Sequence, residues 1–234
     1  MKQDLKNILE SYLSIYYEQD SVLIQRRTHE ERQKNYKIAT AKKIQDYIKN
    51  GSEGVLDLYK TPITTLPDEL KSVGGNLNLG YTQITTLPDG LKSVGGNLNL
   101  GDTPITTLPD GLKSVGGDLN LDYTPITTLP DGLKSVGGSL DLYKTSITTL
   151  PDGLSVRGHL NLAFTLITTL PDSLSVGGDL NLRFSPITTL PDGLSVGGRL
   201  DLQNTSIAKL FKSKKYTKGQ IKQMYPGVKG EIVF

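Results

Sequence analysis

Cysteine and tryptophan are absent from the 234 residues, and only two histidines, His29 and His159, are present. Without cysteine there is no disulfide, no thiolate metal site, no iron–sulfur ligation and no cysteine nucleophile. Two isolated histidines give no basis for a multi-histidine metal site or a serine–histidine–aspartate triad. Hydrophobic residues make up 36% of the chain, and no run of about 18 apolar residues exists to span a bilayer. Met1-Lys2-Gln3-Asp4 leads into spaced apolar residues broken by Glu10 and Glu18. A secretory signal needs an unbroken apolar core of about 7–15 residues. These absences point to a soluble cytoplasmic protein with no cofactor, no metal and no catalytic machinery of a recognisable kind.

What the chain has in quantity is repetition. The phrase I-T-T-L-P-D-x-L begins at Ile63, Ile84, Ile105, Ile126, Ile147, Ile167 and Ile187, and a degenerate copy begins at Ile207. The spacing is 21 residues four times and then 20 three times. The change is local, because Leu133-Lys134-Ser135-Val136 becomes Leu154-Ser155-Val156. A segment that tolerates a deletion is expected to be a surface loop rather than a packed strand.

Within one unit, Gly95-Gly96-Asn97-Leu98-Asn99-Leu100-Gly101, leucines alternate with polar residues. Period two predicts a strand with Leu98 and Leu100 facing in and Asn97, Asn99 and Gly101 facing out. Pro104 stops the ladder, and Leu108-Pro109-Asp110-Gly111 is turn chemistry. Val94, Ile105, Leu108 and Leu112 return inward along an extended or 3-10 arm too short for a regular helix. One unit cannot bury its own leucines, but stacked copies can, each strand pairing with the next at about 4.8 Å. The expected fold is a repeat solenoid of about eight parallel β rungs.

The pattern L-x-L-x-x-(N/T)-x-(L/I)-x-x-L-P-x-x-L, seen from Leu98 to Leu112, resembles a leucine-rich repeat. The 20–21-residue length resembles the short bacterial class of type III effectors. The V-G-G-x-L-x-L-x-x-T-x-I-T-x-L-P-D form also resembles repeat proteins of tailed phages and their hosts. The resemblance covers residues 51–210, with two departures. The family's asparagine after the strand is Thr61, Thr82, Thr103, Thr124, Thr145, Thr165, Ser185 and Thr205 here, and its first leucine is a glycine. A hydroxyl can still satisfy a backbone group at the turn. The resemblance implies a binding scaffold rather than an enzyme, in the host cytoplasm if the chain is phage-encoded. Effectors with similar repeats can carry a cysteine-dependent ubiquitin ligase domain, for which this chain has neither cysteine nor room.

The flanks differ. Residues 1–50 are expected to form a helical N-terminal cap or hairpin. Leu5, Ile8, Leu9, Tyr12, Leu13 and Tyr16 form one apolar stripe. Thr28-x-x-Glu31 reads as a capping box opening a second helix, whose apolar face is Ala41, Ile44, Tyr47 and Ile48 and which stops at Gly51. After the worn copy Ile207-Ala208-Lys209-Leu210, residues 211–234 are expected to form a C-terminal cap. In it, Thr217-x-x-Gln220 caps a short helix, and Val228–Phe234 alternates like an edge strand. Net charge is +3 over residues 1–50, −7 over 51–205 and +6 over 206–234. The terminal Lys209, Lys212, Lys214, Lys215, Lys218, Lys222 and Lys229 read first as edge protection. Nucleic acid is expected only through them, because the acidic repeats oppose phosphates.

Stacking turns repeat positions into columns. The middle exposed strand position holds Asp57, Asn78, Asn99, Asn120, Asp141, Asn161, Asn181 and Asp201, which reads mainly as an amide ladder. Its flanking columns vary: Val55, Asn76, Asn97, Asp118, Ser139, His159, Asp179, Arg199, and Tyr59, Gly80, Gly101, Asp122, Tyr143, Ala163, Arg183, Gln203. On the convex side, Thr-Thr pairs repeat from Thr64/Thr65 to Thr188/Thr189, with one threonine of each pair allowed to point inward. Variation on a uniform scaffold is either drift or partner specificity. The expected function is non-enzymatic recognition of a protein partner with a basic segment through the concave face. Asp118, Asp122, Asp141, Tyr143, His159, Asn161 and Arg183 are the candidate contacts. The alternative is a structural spacer or assembly component whose terminal regions make the contacts.

Overall fold

The computed structural model describes the backbone of residues 2–234 and, before residue 30, only the side chains of Glu18, Leu23, Gln25, Arg26 and Thr28. The Leu5–Tyr16 stripe therefore lies outside the described side chains. The chain divides into two compact units, residues 1–43 and residues 44–234. A single helix, α1 (Lys2–Lys49), replaces the expected break at Thr28. Thr28 does not cap: its hydroxyl donates back to the Gln25 carbonyl at 2.9 Å, a bond made inside a helix. The stop is as expected. Gly51 (φ +87°) and Ser52 (φ +59°) turn left-handed, and their N–H groups donate to Ile48 and Tyr47 carbonyls. Ile44 is buried in the core of the second unit, with Tyr47 and Ile48 packed against it, while Ala41 is exposed.

The repeats build two parallel sheets. The front sheet takes Leu56–Asp57, Leu77–Asn78, Leu98–Asn99, Leu119–Asn120, Leu140–Asp141, Leu160–Asn161, Leu180–Asn181 and Leu200–Asp201 in chain order, and Ile232–Val233 adds a ninth strand. We number the first eight of these as rungs one to eight. The second, seven-stranded sheet is made of the Ser-Val pairs Ser72–Val73, Ser93–Val94, Ser114–Val115, Ser135–Val136, Ser155–Val156, Ser175–Val176 and Ser195–Val196. This corrects the loop expected there. The residue lost in the shorter units is the one before the strand, so Ser155 still pairs with Ser135 and Leu160 with Leu140. Between the sheets lie the leucine and isoleucine columns, with Leu98, Leu100, Ile105, Leu112, Leu119 and their equivalents fully buried. Each returning arm is extended and closes in a proline turn, as where Leu112 N–H donates to the Pro109 carbonyl at 2.9 Å.

The hydroxyl that stands in for the family's asparagine does one job throughout. Every member from Thr61 to Thr205, Ser185 included, donates to the carbonyl three residues back, at 2.6–2.8 Å. The C-terminal residues depart from the arm expected at Ile207–Leu210. They form helix α2 (Ser206–Ser213), because Thr205 accepts Ala208 N–H as an N-cap. A second helix, α3 (Lys218–Met224), carries the expected Thr217–Gln220 capping box. Ile232–Val233 pairs in parallel with Leu200–Asp201.

Candidate functional site

Two of the three exposed columns on the front sheet are set by hydrogen bonding. In the middle column every side chain, from Asp57 to Asp201, accepts the N–H two residues further on, at 2.9–3.3 Å. Amide-ladder bonds join part of it: Asn99 donates to Asn78, Asn161 to Asp141, and Asn181 to Asn161, at 3.0–3.1 Å.

The column before it looks variable yet obeys one chemical rule. Asn76, Asn97, Asp118, Ser139, His159 and Asp179 each accept the backbone N–H of the corresponding residue one rung on, at 2.7–3.1 Å. Four residue types serve one purpose, since each offers an acceptor of suitable reach. His159 accepts Asp179 N–H through Nδ1, which places its ring proton on Nε2. The Asp179 carboxylate lies 3.7 Å from that same Nδ1.

The column after the strand is less exposed than expected. Gly80, Gly101 and Ala163 are buried. A Cβ on Gly101 would lie 2.2 Å from Asp122 Oδ1, so the glycine of rung three makes room for the carboxylate of rung four. Burial pushes the Asp122 carboxyl above the usual range, and the nearby Asp141 and Asp102 charges push the same way against the Asn120 bond. Its folded pKa exceeds its unfolded one, so the folded protein binds the extra proton between them. Stability is then greatest at and below the ordinary carboxylate value and falls as pH rises through the raised one. Asp122→Asn should melt above the parent protein at neutral pH and level with it in acid, as thermal scans against pH would read. Parallel melting curves across that range would remove the assigned strain.

Arg199 pairs with Asp201. Among the described residues, Asp102, Asp118, Asp122 and Asp141 have no ion-pair partner. Rungs three to five therefore bring together four carboxylates that make no ion pair. Asn161 is part of the ladder, and the Arg183 guanidinium lies 5.9 Å from the Phe184 ring. On the convex side both threonines of each of the seven pairs are exposed, so neither turns inward. No group of three or more histidine and carboxylate side chains suited to a metal ion occurs among the described residues. No described helix is long and apolar enough to cross a membrane.

The residue following the third column escapes a sequence reading. Lys60, Tyr81, Asp102, Tyr123, Lys144, Phe164, Phe184 and Asn204 all have φ between +54° and +63°. None is glycine, the residue that conformation favours.

The solved structure of a Shigella effector leucine-rich-repeat domain matches 84% of this chain and 87% of its own, at 20% identity and a TM-score of 0.51. The fold is a leucine-rich-repeat solenoid. YopM from Yersinia enterocolitica aligns over 71% of this chain and 63% of its own at 15% identity, with a TM-score of only 0.23. The Drosophila Toll–Spatzle complex aligns over 65% of this chain and 23% of that one at 18% identity and 0.38. No protein-family profile and no curated protein matches the chain. As a leucine-rich-repeat solenoid with short 20–21-residue units, residues 44–234 present the outer face of a nine-stranded parallel sheet.

Proposed function

We propose that the protein is a non-enzymatic binding scaffold that recognises a protein partner, one with a basic segment, through the exposed face of the front sheet. The observation that carries this is the set Asp118, Asp122 and Asp141, carboxylates on two adjacent rungs that make no ion pair among the described residues. Carboxylates so placed steer a cationic segment and restrict its register. Tyr143 beside them supplies a rigid amphipathic anchor of the kind that dominates interfaces. The raised Asp122 pKa fits the same role: burial is its main cause, and a lysine or arginine would relieve the repulsion from Asp141 and Asp102 that adds to it.

The test exchanges Asp118, Asp122 and Asp141 together for asparagine. An amide oxygen keeps the acceptor that Asp118 gives Ser139 N–H and that Asp141 gives Tyr143 N–H. Circular dichroism should be unchanged and the melting temperature not lowered. Affinity for a partner recovered in stoichiometric amount from native cells should drop, and its dependence on salt should flatten. Undiminished affinity at low salt would move the contact away from this face, to the basic ends of the chain.

A further inference from the structure

The carboxylates adjoin a feature that the charge argument leaves unused. Tyr123, Tyr143, Phe164 and Phe184 form one unbroken rank of rings over rungs four to seven. Successive ring centres are 5.4, 5.6 and 4.4 Å apart; the first two pairs meet edge to face and the last is stacked. Tyr123, Phe164 and Phe184 are each 44–48% exposed, far more than a core role would leave them. These three also occupy the left-handed position, at φ +55° to +58°, where a bulky residue is disfavoured by about 1–2 kcal/mol. Asparagine fits that position more readily and holds it in rung eight, as Asn204. Backbone preference therefore does not explain the rings.

Resting on the reading of the acidic face given above, we propose that this rank docks a polyproline II segment of the partner, next to its basic residues. Two lengths agree. A polyproline II helix advances about 9.3 Å per three-residue turn. Two rungs of a parallel sheet advance about 9.6 Å. Every third residue of the segment can thus meet alternate rungs of the rank on one face, a match that a fully extended strand does not give, because its same-face residues recur every two, at about 6.6 Å. Such a segment has no internal hydrogen bonds, and its exposed carbonyls need donors. The Tyr123 and Tyr143 hydroxyls lie on the rank to provide them. Charge sets the direction. Lys144 sits 4.9 and 5.3 Å from the Tyr123 and Tyr143 ring centres, and Arg183 lies against Phe184, so a cationic residue is excluded from the rank itself. It is drawn instead to Asp118, Asp122 and Asp141, on rungs four and five beside the first rings of the rank and away from Arg183. The rank and the acidic cluster meet on rungs four and five, where Tyr143 stands two residues after Asp141 and its N–H donates to that carboxylate.

The experiment uses the full chain and three labelled twelve-residue peptides, followed by fluorescence anisotropy. One carries two arginines followed by Pro-x-x-Pro-x-x-Pro. The second has glycine for every proline, and the third has serine for both arginines. The first should bind at least tenfold tighter than either of the others. Phe164→Asn with Phe184→Asn, a substitution the left-handed position accommodates, should weaken it tenfold or more without altering its salt dependence. The Asp118, Asp122 and Asp141 exchange should weaken it and flatten that dependence. Equal binding of the first and second peptides would overturn the polyproline assignment and leave the acidic-face reading standing. Equal binding of the first and third would sink the acidic reading. No binding of any peptide at millimolar concentration, or binding of cellohexaose abolished by the phenylalanine exchange, would overturn the proposal, the second by making the rank a sugar platform.

Discussion

Leu119→Ala lowers the unfolding free energy by about 2–5 kcal/mol. Leu119 is fully buried on the inner face of rung four, and its strand is held on both sides by Leu98–Asn99 and Leu140–Asp141. Truncation therefore opens a void that neighbouring rungs cannot close without breaking register with the next. The cost lies toward the upper end where the site cannot collapse. Lys134→Ala is the control. Its side chain is exposed, its Nζ reaches only the Asp152 carbonyl at 2.8 Å, and the shorter units omit the residue altogether. It should change stability by less than about 0.5 kcal/mol. Urea titration of both variants settles the matter; equal losses would mean that the inner and outer faces are exchanged.

Gly117→Ala is expected to cost about 1–3 kcal/mol, through overpacking rather than through a void. The corner between the two sheets carries paired glycines whose φ angles are ordinary, so neither is there for backbone freedom. They are there because the neighbouring rung is too close. A Cβ on Gly117 would lie 2.0 Å from Asn97 Oδ1 and 3.0 Å from both the Asn97 nitrogen and the Gly96 carbonyl carbon. Pushing Asn97 aside also breaks its bond to Asp118 N–H. The first glycine of the pair is replaced twice, by Glu53 and Arg157, whereas the second is glycine in every rung from Gly54 to Gly198. Gly153, with no atom within 4 Å of a built Cβ, gives the comparison: alanine there meets only the penalty of its φ of +73°. If Gly117→Ala unfolds at the parent's urea midpoint, the corner has slack that the close approach does not show.

The front sheet, the buried leucines and the closing C-terminal strand were legible because each follows from alternation or from a repeat that must stack. The Ser-Val sheet was not. A Ser-Val pair offers one inward residue where a front rung offers two leucines in alternation, and the nearby deletion pointed to a loop although it removes only the residue before Ser155. The helix at Ser206 was hidden by the likeness of Ile207–Leu210 to a repeat arm, while the deciding signal was Thr205 as an N-cap. Of the candidate contacts, the charges at Asp118, Asp122 and Asp141 could be read from residue type. The backbone duties of Asp118 and His159 could not, since their donors lie 20 or 21 residues away. The left-handed rank was invisible for the opposite reason: Tyr123, Phe164 and Phe184 are residues that propensity argues against at φ > 0.

The cross-rung acceptors have an evolutionary consequence. Ser139 N–H is met by Asp118 Oδ1 as Asp118 N–H is met by Asn97 Oδ1, at 2.7 and 2.9 Å. To the backbone an amide oxygen and a carboxylate oxygen are interchangeable there, yet to an approaching partner they differ by a full charge. Asparagine and aspartate codons are separated by a single nucleotide. The solenoid can therefore change the strength and pattern of its outward negative potential one rung at a time, along a path of folded intermediates. Recognition can drift to a new target while the scaffold beneath it stays under unchanged selection.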